Sequence, residues 1–111
     1  MRFSIVVMGH PERGQSSQSA WQFCSAALEN EHQVVQVFFL HDATYQAFVE
    51  DGLSEAWRIL SQQHSFNLDV CVTAMEARNQ LDEELLEGFT ARGLGQLVDA
   101  TIQADRTITF R

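Results

Sequence analysis

The sequence predicts an α/β domain, a three-layer sandwich with a mostly parallel five-stranded sheet between helices. Three observations carry this expectation. Strand-like and helix-like patterns alternate along all 111 residues, as they do where helical crossovers join parallel strands. The strand-like stretches are near-continuous apolar runs, which suit strands covered on both faces. No linker, internal repeat or low-complexity segment interrupts the pattern, so residues 1–111 read as one domain of ordinary size.

Arg2 to Met8 forms the first run and ends at Gly9-His10-Pro11-Glu12-Arg13-Gly14, which is turn material. Ser16 or Ser17 is placed to cap a helix reaching about Glu29, with Ala20, Phe23, Cys24, Ala27 and Leu28 at helical spacing. Gln33 to Leu40 is the second strand, rich in β-branched and aromatic residues. A helical turn over Tyr45–Glu50 and a helix over Leu53–His64 follow, the latter with Leu53, Ala56, Trp57, Ile59 and Leu60 facing inward. Asn67 to Ala74 is a short buried strand with Cys71 near its end. Met75–Asn79 reads as a loop or short turn and Leu81–Glu87 as a short acidic helix. Phe89–Ala91 reads as a brief strand or, by propensity alone, a loop; Gly93 or Gly95 opens a helix to about Ala104, and Arg106–Phe110 closes the sheet. Right-handed crossovers then favour a flavodoxin-like layout with the first strand central.

Charge and composition exclude several functions. The net charge is −8, and all seven basic residues are arginine. An acidic surface repels phosphate backbones, so no direct nucleic-acid partner is expected. Without lysine there is neither a Schiff base nor a Walker-type phosphate lysine; in Gly9-x-x-x-x-Gly14-Gln15-Ser16, Gln15 stands where that lysine belongs. No apolar run spans a bilayer and no secretory leader is apparent, so a soluble, cytoplasmic protein is expected. Cys24 and Cys71 form no CxxC pair, and the four histidines are scattered, so no zinc ligand set is apparent.

Cys71 is the candidate for chemistry, because reaction sites in parallel sheets form outside the carboxyl ends of strands. Cys24 falls on an apolar helical stripe and reads as core. A thiol in the position of Cys71 is equally a good core residue unless its surroundings favour the thiolate.

Taken in order, Phe3–Gly9, the Gln15–Leu28 helix, Val37-Phe38-Phe39, Val70-Cys71-Val72, Gly88-Phe89-Thr90, Gly93-Leu94-Gly95 and Asp105-Arg106 together resemble the DsrE-like sulphur-relay family, most closely its TusD (DsrE) type of subunit. The resemblance implies a DsrE-like α/β fold and sulphurtransferase chemistry, with Cys71 as the persulphide carrier and no role for Cys24. It implies no metal or organic cofactor. It also implies oligomerisation, a heterohexamer in the family, with TusB/TusC-like (DsrH/DsrF-like) sister subunits, a TusA-like donor and a TusE-like (DsrC-like) acceptor. The pathway served would be tRNA 2-thiouridine synthesis or sulphur oxidation. Arg78, seven residues beyond Cys71, is the candidate thiolate stabiliser. Arg13, His10 and His41 are weaker candidates, the histidines as proton partners.

The chain departs from that family near the cysteine. The His41–Gly52 segment is short, and Thr73-Ala74-Met75-Glu76-Ala77-Arg78-Asn79 stands where the family favours small residues and an Arg-Gly pair. Asn79 substitutes for glycine if that position is left-handed, whereas a carboxylate from Glu76 beside the thiol would oppose its ionisation. Two other readings stay open: a non-catalytic assembly subunit, and a flavodoxin-like nucleotide or flavin binder. Phe48, Val49, Leu53 and Met75 are the expected contact residues for partners.

Overall fold

The computed structural model describes residues 1–111. Five strands, β1 (Arg2–Val7), β2 (Gln33–Phe39), β3 (Asn67–Cys71), β4 (Phe89–Arg92) and β5 (Arg106–Phe110), form one all-parallel sheet in the order β4-β3-β2-β1-β5. The expected fold class holds, but β2 rather than β1 is central. The reason lies in the direction of the crossovers. Strands β1 to β4 are laid down stepwise in one direction, and only β5 returns, to the far side of β1.

Helices α1 (Ser16–Glu29) and α2 (Gly52–His64) cover one face of the sheet. That face carries Phe3, Ile5, Val7, Val37, Phe39, Leu68 and Val70, which pack with Ala20, Cys24, Trp57 and Leu60 in one continuous core. Helix α4 (Leu94–Gln103) crosses the other face, where Leu97 meets Phe38 and Cys71 and the Gln96 carbonyl meets Gln36. A right-handed return from β4 to β5 requires this change of face.

Local details depart from the sequence expectations for identifiable reasons. Neither Ser16 nor Ser17 caps α1; Gln15 occupies the cap position without a side-chain bond. Instead the Gly9 amide donates to Ser16 Oγ at 3.0 Å, and a Cβ at Gly9 would lie only 2.3 Å from that oxygen, so the close approach needs glycine. Ser17 Oγ accepts from Trp57 Nε1 at 3.0 Å and donates to Gln46 Oε1 at 2.8 Å, which ties α1, α2 and the intervening 3-10 segment His41–Ala47 together inside the core. Ile59 points to solvent, while Trp57 is completely buried. Leu81–Glu87 forms turns and irregular chain, not a helix. Strand β3 ends at Cys71 rather than Ala74, and a further short helix, α3 (Val72–Ala77), takes the place of the expected strand end and the start of the Met75–Asn79 loop.

Helix α2 has a side-chain cap: Asp51 Oδ1 accepts from the Ser54 amide at 2.8 Å. Replacing Asp51 with alanine leaves that amide without its partner. A loss of about 1 kcal/mol is expected in urea unfolding; an unchanged midpoint would show that the cap contributes nothing.

Of the residues expected to meet partners, Met75 is buried, Val49 is half-buried, and Phe48 and Leu53 pack partly buried against the core. Much of their apolar surface is already covered within the chain. The exposed apolar side chains lie elsewhere: Leu94, Val98 and Ile102 make one ridge along α4, at successive four-residue steps. No helix is long and apolar enough to cross a membrane.

Candidate active site

Cys71 closes β3 and serves as the N-cap residue of α3. Its backbone is extended (φ −64°, ψ 115°), and Sγ accepts a long hydrogen bond, 3.4 Å, from the Ala74 amide. The sulphur therefore sits at the carboxyl edge of an inner strand, as the chain pattern predicts. Phe38, Leu40, Ala74 and Leu97 pack around it. A groove of about 340 Å³ opens over it, lined by Leu40, His41, Ala74, Ala77, Arg78 and Leu94. The residue itself is 2 % exposed, so the groove gives the sulphur an outlet but little free surface.

Arg78 lines this groove with its guanidinium already engaged. Nε and Nη2 each lie 2.9 Å from Asp42 Oδ1, and Nη1 donates to the Ala74 carbonyl at 3.1 Å. The hydrogen bond from Arg78 holds the exposed Asp42 carboxyl below its ordinary range. Asn79 does adopt the left-handed conformation, at φ 55°, which explains how it stands in for glycine. Glu76 lies on the exposed side of α3, outside the groove lining, so its carboxylate does not face the sulphur across the groove.

The weaker candidates separate. His41 borders the groove, held at φ 52° at the start of the 3-10 segment. His10 instead stacks on Tyr45, with ring centroids 4.7 Å apart, and its Nδ1 accepts from the Glu12 amide. Arg13 is exposed in the β1–α1 turn. Cys24 is completely buried in the core under α1, and burial pushes its thiol up to about 12. That thiol stays protonated at neutral pH, which fits the expectation of a packing role. No three His, Cys, Asp or Glu side chains gather as metal ligands.

One polar cluster on the Cys71 face was not singled out from the sequence. Asp69 lies two residues before Cys71 on β3, so both side chains point to the same face of the sheet. It is 2 % exposed; Gln36 Nε2 donates to its Oδ2 at 2.7 Å, while Oδ1 has no hydrogen-bond partner and lies 3.7 Å from Arg92 Nε. An aspartate inside an apolar strand, in phase with the cysteine, was the available signal.

Burial raises the Asp69 carboxyl, against the opposing effects of the Gln36 hydrogen bond and the Arg92 charge. The folded protein thus binds this proton more readily than the unfolded chain does. Stability from this group is present at low pH and is lost as pH rises through the raised folded value. Asp69→Asn is therefore expected to stabilise the fold at pH 7, with the gain shrinking towards pH 4. Urea unfolding at the two pH values checks this, and a loss at pH 7 would refute it.

Fold and site together define a parallel α/β sandwich that presents a single groove-lining thiol at the carboxyl edge of its sheet. The model of the DsrE/DsrF-like family matches residues 1–110, and the chain belongs to that family. A TusD sulfurtransferase homolog of Vibrio vulnificus is 34 % identical, with 99 % of this chain and 98 % of that protein covered. The TusD sulfurtransferase of Salmonella arizonae is also 34 % identical, over 99 % of this chain and all of that protein. The crystal structure of the ychN protein from E. coli superposes with a TM-score of 0.83, covering 99 % of this chain and 100 % of that one, at 17 % identity. The last similarity concerns the fold.

Proposed function

We propose that this protein is a sulphurtransferase subunit that carries sulphane sulphur as a persulphide on Cys71. The observation that supports this reading best is the placement of Cys71 at the edge of the sheet, beneath a groove, in a chain whose relatives over nearly their full length bear the name sulfurtransferase. The reaction needs only one thiol. The Cys71 thiolate attacks the terminal sulphur of a donor persulphide; a new S–S bond forms, the donor's S–S bond breaks, and the donor leaves as a thiolate. The proton stays with the transferred sulphur, and no net oxidation occurs. Delivery to an acceptor thiol is the same exchange in reverse. Neither step asks for a metal or an organic cofactor.

The apolar walls of the groove limit water around the bound sulphur. Arg78, tethered by Asp42, contributes the positive edge of the groove, and His41 lies within it as a proton partner. Donor and acceptor are proteins of the TusA-like and TusE-like (DsrC-like) kinds, serving tRNA thiolation or sulphur oxidation. The ridge of Leu94, Val98 and Ile102 is the surface for TusB/TusC-like (DsrH/DsrF-like) sister subunits, because an apolar stripe of this kind favours burial against a partner. One observation favours a second reading. Cys71 is nearly inaccessible in the single chain, as it would be in an assembly subunit whose partner carries out the chemistry. Intact-mass spectrometry after incubation with a persulphide donor separates the two: a reducible gain of one sulphur supports the carrier, and no gain supports the assembly subunit.

A further inference from the structure

The pairing of β3 with β4 places Arg92 directly opposite Cys71. Neighbouring parallel strands run about 4.8 Å apart, and residues paired this way project from the same face. The contact between Arg92 and Asp69 confirms the face, because Asp69 and Cys71 alternate in phase along β3. Arg92 is thus the cation whose backbone lies beside the reacting sulphur. Its side chain, 45 % exposed, bends back along the sheet towards Asp69, which lies about 6.6 Å (two strand steps) behind Cys71. The contact it makes there is loose: Nε stands 3.7 Å from Oδ1, beyond hydrogen-bonding distance, and that oxygen is buried with no hydrogen-bond partner. Arg78, by contrast, is fixed by three short contacts to Asp42 and the Ala74 carbonyl.

We infer that Arg92 is a catalytic residue of the proposed sulphur transfer, a mobile cation shared between Asp69 and the sulphur on Cys71. Asp69 is the positioning residue that holds the guanidinium when the sulphur is neutral. When Cys71 ionises, or carries a persulphide anion, Arg92 swings forward and supplies the counter-charge. The arginine stem is long enough to reach either group from one Cα, and its half-exposed position leaves it free to turn. The inference rests on the carrier reading for its chemistry, but the charge on Arg92 acts on the Cys71 thiol whether or not sulphur is loaded.

The test is the rate of Cys71 alkylation by iodoacetamide in the folded full-length protein at pH 7, with the modified cysteine identified by peptide mass. The reagent is neutral, so its own attraction to Arg92 is minimal. Arg92→Gln is expected to slow alkylation roughly tenfold, the effect of losing one close opposite charge. Arg92→Lys should restore most of the rate, which a purely structural role would not allow. Asp69→Asn removes the competing anchor and is expected to speed the reaction several-fold. The opposite signs of the Asp69 and Arg92 variants are the signature of a shared cation. An unchanged rate in Arg92→Gln, a slower rate in Asp69→Asn, or a wild-type Cys71 that reacts only after unfolding would each overturn the inference. Sulphur loading, measured separately, reports on the carrier reading: loading with an unchanged Arg92→Gln alkylation rate sinks this inference alone. An Arg92-dependent rate without any loading sinks the carrier reading, and with it the catalytic role of Arg92, while the charge coupling between Arg92 and the Cys71 thiol stands.

Discussion

Cys71→Ser is expected to abolish sulphur loading completely while leaving the fold intact. Serine is nearly isosteric, its hydroxyl can accept from the Ala74 amide as Sγ does at 3.4 Å, and it keeps the cap of α3. What it cannot do is attack a persulphide, because the reaction needs a thiolate. The matched control is Cys24→Ser. That thiol is completely buried in the core, with its ionisation pushed up to about 12, so it takes no part in exchange at neutral pH. Its replacement places a hydroxyl among apolar neighbours and is expected to cost about 1–3 kcal/mol of stability, yet to leave loading at the wild-type level. Intact mass after treatment with a persulphide donor, before and after reduction, reads both variants. Loading that survives Cys71→Ser would move the chemistry to another residue and end the carrier reading.

Trp57→Ala is expected to be the most damaging single change in the core. The indole is completely buried, meets Phe39 edge-on with ring centroids 5.6 Å apart, and donates from Nε1 to Ser17 Oγ. Truncation opens a cavity between α2 and the sheet and also breaks the polar relay Trp57–Ser17–Gln46–Ser54. A loss of about 3–5 kcal/mol is expected, a large part of the roughly 5–15 kcal/mol that holds a domain of this kind together. Trp57→Phe keeps most of the packing and should recover more than half of the loss. Urea midpoints measure both. A loss below about 1 kcal/mol in the alanine variant would mean that the site collapses around the gap, contrary to the packing seen here.

Much of this architecture can be read in the chain before any coordinates. The apolar runs of β1 and β2 and the core stripe Ala20, Cys24 and Ala27 follow from periodicity. The position of Cys71 at the end of β3 follows from the alternation of elements. Strand order does not, because local patterning says nothing about the direction in which each crossover turns; hence β2, and not β1, is central. The acidic Leu81–Glu87 stretch has helical propensity but only half-buries Leu85 and Leu86, too little packing to fix a helix there. Ser16 and Ser17 look like caps, yet the tertiary bonds of Gly9, Trp57 and Gln46 claim their hydroxyls. The expected contact residue Met75 turned inward, and the real exposed ridge on α4 carries residues that periodicity alone assigns to a core-facing helix. The Asp69–Arg92 pair was hidden for a different reason. It depends on the register between two strands whose partners stand twenty-one residues apart, which no local pattern specifies.

The return of β5 to the side of β1 also has a consequence for biosynthesis. The first strand of this domain to be synthesised is flanked in the native sheet by β2 and by the last strand of the domain, and Phe110 packs on the α1 residue Phe23. Until residues 106–110 emerge, one edge of β1 has no neighbour, and the Phe23 ring lacks part of its cover. At translation speeds of about 5–20 residues per second, the nascent chain holds an unpaired apolar strand edge for several seconds, the kind of edge that invites aggregation. Folding of this domain therefore completes only once β5 is available to pair with β1, and the interval before it is where a holding chaperone would matter most.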